Sequence, residues 1–162
     1  MDRLLFLALS LTLFTTPGAG STASDLTVCI DDRVRLDPHS MRAFVQELRA
    51  LSTIPIRVDG TTCSAPGAVR IAFRAYPPSR YSNALGLTRV GGPLVLPEVE
   101  VYTGNVARTL NGSAGSERFG RAIARVVFHE LQHYVRQECG HDERGLFVTA
   151  LTVRHLTASA VP

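Results

Sequence analysis

Five consecutive residues could do chemistry together: His129-Glu130-Leu131-Gln132-His133. On an α-helix, residues four apart share a face, so the two imidazoles can offer nitrogens to a single ion. Neutral imidazole is a borderline-soft donor that suits Zn²⁺ at about 2.0–2.1 Å. The helical period turns Glu130 about 100° away from His129, beside a cation rather than on it. A general base must stand there to take a proton from water. A bound Zn²⁺ lowers the pKa of its water from about 15.7 towards 7, so a carboxylate can complete the activation. His129 shares its side of the helix with Ala122 and Val126. Polar groups inserted into such a face lose hydration, which a helix serving only to pack has no reason to accept.

A catalytic zinc site normally has three protein ligands and one open position, so a third donor is needed. Four candidates follow within ten residues. His141 comes after seven intervening residues, with Gly140 able to turn the chain back under the metal. Cys139 falls at the spacing where the metzincin pattern places its third histidine. A thiolate added to three imidazoles would close the coordination shell and leave no water to activate. Glu138 and Asp142 are weaker, carboxylate alternatives. Ligand chemistry and turn geometry favour His129, His133 and His141 as the metal set, with one Zn²⁺ per chain and Glu130 as the catalytic group.

These residues need a helix to hold them. Ser116 reads as the cap of a long helix through Phe119, Ile123, Val126, Val127, Leu131 and Tyr134, with Gly140 as its stop. Upstream, Leu26, Val28 and Ile30 alternate as in a half-buried strand. Asp37-Pro38 is an N-cap followed by proline at the first helical position, and Met41, Phe44, Val45, Leu48 and Leu51 recur at helical spacing. Residues 54–58 and 69–73 read as strands. Residues 76–93, rich in Pro, Gly, Ser and Asn, read as a long connection of the kind that often carries function. Leu94–Tyr102 is a strong strand candidate, with Pro97 favouring an edge position or a bulge. Residues 148–156 form a last amphipathic segment, expected to be a short helix. Strands and a helix come first and a site-bearing helix follows, an α+β order.

The chain has 162 residues, 45% of them hydrophobic and 19% charged, which suits one globular domain and excludes general disorder. No apolar run reaches the roughly 18–20 residues a bilayer span needs, which excludes a multi-pass membrane protein. The net charge is +3, and all 17 basic residues are arginine. They are scattered, without the clustered face or interleaved aromatics of a nucleic-acid footprint, so no nucleic-acid partner is expected. Residues 1–23 read as a signal peptide: Arg3, an apolar stretch over residues 4–14, then Pro17-Gly18 and small residues up to Ala23. Export to a secreted or periplasmic location implies an oxidising compartment. Cys29 and Cys63 are then disulfide candidates, with Cys139 left over. No stable membrane insertion is expected once the leader is removed.

The run His129-Glu130-x-x-His133, seven residues, His141, three residues, then Gly145-Leu146-Phe147 resembles small exported bacterial zincin-type metallopeptidases. Their pattern ends in a third histidine followed by Gly-Ile/Leu-Met. Ala84-Leu85-Gly86, a Gly-Gly-Pro loop, the strand ending Val99-Glu100-Val101-Tyr102, and Ala124-Arg125-Val126 are also similar, so the likeness covers residues 84–150. The resemblance implies a small zincin-like domain over residues 24–162, with a mixed or antiparallel sheet and a long active-site helix. It implies zinc on His129, His133 and His141, and Glu130 as the base. Gly145-Leu146-Phe147 would be a turn beneath the metal. Phe147 replaces the usual methionine, Gln132 a frequent glycine, and Gln137 a helix-ending glycine, which leaves Gly140 to end the helix. By resemblance, a peptide or protein substrate would pair along the sheet edge at Leu94–Tyr102. Tyr102, Tyr134 and His155 are available to help an oxyanion. The activity implied is zinc-dependent peptide hydrolysis. The alternatives are a zinc hydrolase of another substrate and a non-catalytic zincin-like binding domain; retention of Glu130 argues against the latter.

Overall fold

A computed structural model describes residues 25–59, 63 and 66–159; the expected leader lies outside them. In chain order the elements are β1 (Leu26–Asp32), α1 (Pro38–Leu51), β2 (Ile56–Asp59), β3 (Val69–Arg74), a 3-10 turn (Ser79–Tyr81), β4 (Gly86–Gly91), β5 (Leu94–Tyr102), α2 (Thr103–Thr109), α3 (Glu117–Arg136) and α4 (Val153–Thr157). They form an α+β domain on one mixed sheet in the order β2-β1-β3-β5-β4. β2, β1, β3 and β5 pair in parallel, and β4 returns antiparallel on β5.

Local chemistry accounts for both long helices. Asp37 accepts hydrogen bonds from the backbone N–H of His39 and Ser40, both at 3.0 Å, and Pro38 opens α1. Ser116 Oγ accepts from Phe119 N at 3.2 Å and opens α3. The two helices pack side by side and bury the interior face of the sheet. Phe44 and Leu48 of α1 meet Val28, Val69, Ile71, Phe73, Val99 and Val101 of the sheet and Ile123, Val126 and Val127 of α3. Ser40 Oγ donates to the Ser116 carbonyl at 3.0 Å. At Gly120 the helices come so close that a Cβ would strike the Ser40 carbonyl oxygen.

Two further ties fix the ends of the layer. Cys29 of β1 is disulfide-bonded to Cys63, as the cysteine count suggests. Buried Arg125 of α3 binds Glu47 of α1 at 2.7–2.8 Å and donates to the His155 carbonyl of α4 at 2.8 Å. A buried guanidinium is tolerated when paired and hydrogen-bonded in this way. The tie holds α4, and with it the irregular segment that precedes α4, against the middle of α3.

The structure corrects four expectations. Residues 76–93 are not one long loop, because they contain the 3-10 turn and β4. β4, Gly-Leu-Thr-Arg-Val-Gly, has glycine at both ends and little alternation, so its sequence lacks a strand's usual mark. Leu94–Tyr102 is not the sheet edge, because β4 covers it and is the edge itself. Pro97 sits instead in a bulge: β4 and β5 shift register between Thr88 and Val90, and β3 pairs with β5 only from Glu98 onward. α2 was not expected, and the short helix expected over residues 148–156 forms only at the end of that segment, as α4 from Val153 to Thr157.

Replacing a helical glycine by alanine ordinarily stabilises, by about 0.5–1 kcal/mol. At position 120 the sign reverses. Gly120→Ala is expected to destabilise by about 1–3 kcal/mol through overpacking, read as a lower urea midpoint; an unchanged or raised midpoint would contradict this account of the α1–α3 contact.

Candidate metal centre

α3 carries His129, Glu130 and His133 on the side that faces β4 and the segment before α4. His129 and Glu130 are each only 7% exposed, His133 is half-buried and His141 is exposed. One ligand nitrogen from each of His129, His133 and His141 lies within 4.8 Å of the others. The ring centroids are 4.9–5.2 Å apart. These three residues, the set favoured from the sequence, could hold a metal ion.

The rings are aimed by carbonyls. His129 Nδ1 is 2.8 Å from the Leu146 carbonyl and His133 Nδ1 is 2.8 Å from the Glu138 carbonyl. A carbonyl can only accept, so each Nδ1 carries the proton and donates it, which leaves the Nε2 lone pair for a cation. Burial pushes the His129 pKa down to about 4, with the neighbouring imidazoles adding to the effect and the Leu146 bond opposing it. Burial also lowers that of His141. Both are thereby kept as the neutral form that binds metal.

The chain returns to the site through a turn that starts earlier than expected. α3 ends at Arg136, and Gln137, not Gly140, takes the left-handed conformation, with φ 53°. A β-carbon there is unfavourable, and the side chain offers compensation. Gln137 Nε2 donates to the carbonyls of Tyr134 at 2.7 Å and Val95 at 3.1 Å, and Oε1 accepts from Val95 N at 3.1 Å. The amide therefore pairs with Val95 as a short piece of strand would. The residue following this turn, Glu138, supplies the carbonyl that orients His133.

Beneath the imidazoles lies Phe147, buried, its centroid 4.7–5.5 Å from all three histidine rings. Gly145, at φ +82°, makes the turn before it. The Arg136 guanidinium sits 4.4 Å from the Phe147 centroid and binds Asp142 at 3.0–3.1 Å and Glu138 at 3.4 Å. Both carboxylate alternatives for the third ligand are thus turned towards Arg136. Cys139 is free and exposed; it lines the cleft but stands outside the nitrogen cluster.

The cleft is about 450 Å³, between β4 and α3. Gly86, Thr88 and Val90 form one wall, Val126, His129, Glu130 and His133 another, and Thr149, Ala150 and Leu151 close one side. Tyr102, Tyr134 and His155 do not line it. Tyr102 is buried with its hydroxyl donating to Glu100 at 2.9 Å. His155 caps α4 through Thr152 N, at 3.1 Å.

Sequence reasoning missed the surroundings of Glu130. Thr88 Oγ1 lies 2.7 Å from its Oε2 and 2.9 Å from its backbone carbonyl. Gly86 lies against the same side chain, where a Cβ would come within 2.7 Å of Oε1. No local signal marks these residues; Thr88 reaches Glu130 across 42 positions of chain. Burial pushes the Glu130 carboxyl up to about 7, although Thr88 pulls the other way. Set against protein-family models, curated proteins and solved structures, the chain gives no match.

Two expectations follow. Because the Glu130 pKa is raised on folding, its protonated form is the one the metal-free fold favours. That contribution is complete below about 4.5, the ordinary value, and is lost as pH rises to about 7, about 3 kcal/mol in all. Urea unfolding of metal-free protein should show wild type losing stability over this range relative to Glu130→Gln; parallel profiles would refute it. At position 137, alanine keeps the left-handed strain and loses the amide bonds, whereas glycine loses only the bonds. Gln137→Ala should therefore be less stable than Gln137→Gly by about 1 kcal/mol, and the opposite ranking would refute the paired role of backbone and amide.

Proposed function

We propose that this chain is an exported zinc-dependent metallopeptidase that hydrolyses peptide bonds with Glu130 as general base. The observation that carries the reading is the convergence of three carbonyl-aimed or desolvated imidazoles beside a buried carboxylate, at the bottom of a cleft bounded by a sheet edge. Three neutral nitrogen donors, with thiolate and carboxylates kept aside, suit Zn²⁺ with a position to spare. Such an ion supplies a Lewis acid that acidifies water and polarises a carbonyl.

The remaining work falls to the protein. Glu130 Oε2 is engaged by Thr88, while Oε1 has no hydrogen-bond partner among the described residues. Oε1 is thus the atom that takes a proton from water and later passes it to the leaving amine. A substrate chain lies extended along β4, whose outer edge has no strand partner among the described residues, and main-chain hydrogen bonds hold it there without a sequence requirement. Leu85, Val90, Val95, Val126 and Leu151 give the cleft apolar lining on their sides. The Cys29–Cys63 bond supports an oxidising compartment, in keeping with the leader read over residues 1–23.

Metal analysis of purified protein tests the ligand set. One zinc per chain is expected, lost or strongly weakened in His141→Ala and kept in Cys139→Ala; the reverse pattern would overturn it. Glu130→Gln should keep its zinc and lose at least about 100-fold in casein hydrolysis, the scale of general acid–base catalysis. Full casein hydrolysis by Glu130→Gln would sink the proposed role. Activity on esters or cell-wall amides with none on peptides would reassign the substrate.

A further inference from the structure

A glutamate on a helix is fixed only at its Cα, and its carboxylate swings on three rotatable bonds unless something pins it. Here the pin comes from another element. Thr88 Oγ1 lies 2.7 Å from Glu130 Oε2 and 2.9 Å from the Glu130 carbonyl oxygen; a hydroxyl has one proton, and the shorter distance, typical of donation to a carboxylate, assigns it to Oε2. Threonine is β-branched and stiff at χ1, so its backbone sets the direction of that hydroxyl. Two residues earlier on the same strand, and so on the same face, Gly86 supplies clearance. A Cβ there would come within 2.7 Å of Oε1 and 2.9 Å of both Glu130 Cγ and Val126 Cγ1. Only glycine lets β4 approach α3 this closely. The two contacts hold the carboxylate from one side, with Oε2 engaged and Oε1 left for the reaction.

We propose that Thr88 is the positioning residue of the general base, so that the sheet edge, and not the helix alone, sets where the Glu130 carboxylate stands. The inference rests on the role given to Glu130 above. It has a consequence for substrate. Among the described residues, β4 pairs only with β5, through Gly86 opposite Val101 and Thr88 opposite Val99. A peptide that pairs along the outer side of β4 therefore docks on the strand that holds the base. Register of the substrate and placement of the base are set by one piece of backbone.

The test uses zinc-loaded protein and acetohydroxamic acid, a chelating probe whose hydroxyl proton is taken up by a carboxylate beside the metal. Its affinity is measured by calorimetry for wild type, Thr88→Val, Thr88→Ser and Glu130→Gln, alongside zinc content and casein kinetics. Thr88→Val is expected to keep one zinc and to bind the probe about 10- to 100-fold more weakly, the usual effect of removing an outer-shell partner. Its kcat should fall by a similar factor with KM unchanged, and Thr88→Ser should restore both. Thr88→Ala serves as the second hydroxyl-free variant if Thr88→Val does not fold. Wild-type probe affinity in the hydroxyl-free variant, with weakened affinity in Glu130→Gln, would overturn the positioning role and leave Glu130 as the base. Loss of zinc from folded Thr88→Val or Thr88→Ala would also overturn it, by making the contact structural. Wild-type affinity in Glu130→Gln, or no binding by wild type, would overturn the reading of Glu130 and this inference with it.

Discussion

The constraint on which the structure turns is the burial of polar groups on the inner face of α3. An amphipathic helix packed on a sheet ordinarily turns aliphatic side chains inward, and α3 does so with Ile123, Val126, Val127 and Leu131. His129 and Glu130 interrupt that face, each almost fully buried. Desolvating such groups without partners costs several kcal/mol, so neighbouring elements must supply donors and acceptors at set places. The Leu146 carbonyl answers His129, the Glu138 carbonyl answers His133, and the Thr88 hydroxyl answers Glu130. Each partner comes from a different segment: the turn after Gly145, the turn that ends α3 and the edge strand. The site is held from three directions because its own helix cannot satisfy it.

That demand accounts for features with no other evident purpose. Gln137 adopts a strained left-handed conformation because the chain must reverse at once for Glu138 to reach His133, and its amide recovers stability by pairing with Val95. Arg125 spans from Glu47 to the His155 carbonyl, which anchors α4 against α3. Gly86 is small because β4 must reach the carboxylate. None of these residues touches the proposed reaction, yet each bears on the position of a group that does.

How much of this was legible in the sequence depends on the range of the interaction concerned. Contacts within one helix turn announce themselves: Asp37-Pro38 and Ser116 cap the helices they were read to cap, and His129 and His133 share a face because their spacing demands it. The disulfide followed from cysteine count and position. The α+β order of elements was readable as well, although β4 was not. Its residues satisfy a partner 42 positions away rather than an alternating pattern, so glycine and threonine stand where a strand would show valine or isoleucine. The helix end was misplaced for a related reason. Glycine is the usual left-handed residue, so Gly140 looked like the stop. Gln137 can fill that role only because Val95, distant in sequence, receives its side chain. Pro97 signalled an edge or a bulge, and the neighbouring strand decided for the bulge.

The same distinction between local signal and distant partner bears on the third ligand. Spacing alone left Glu138, Cys139, His141 and Asp142 in competition within five residues of chain. Arg136, one turn back on α3, settles much of it by drawing both carboxylates to itself while lying over Phe147. These ion pairs are exposed, and exposed pairs add little to stability. Their weight lies in what they keep away from the imidazoles. A carboxylate bound to the cation would reduce its net positive charge and with it the pull on a water or carbonyl oxygen. Three neutral nitrogens leave that charge whole. A surface pair of negligible energetic worth can therefore matter to the chemistry, by deciding which side chains remain free to coordinate.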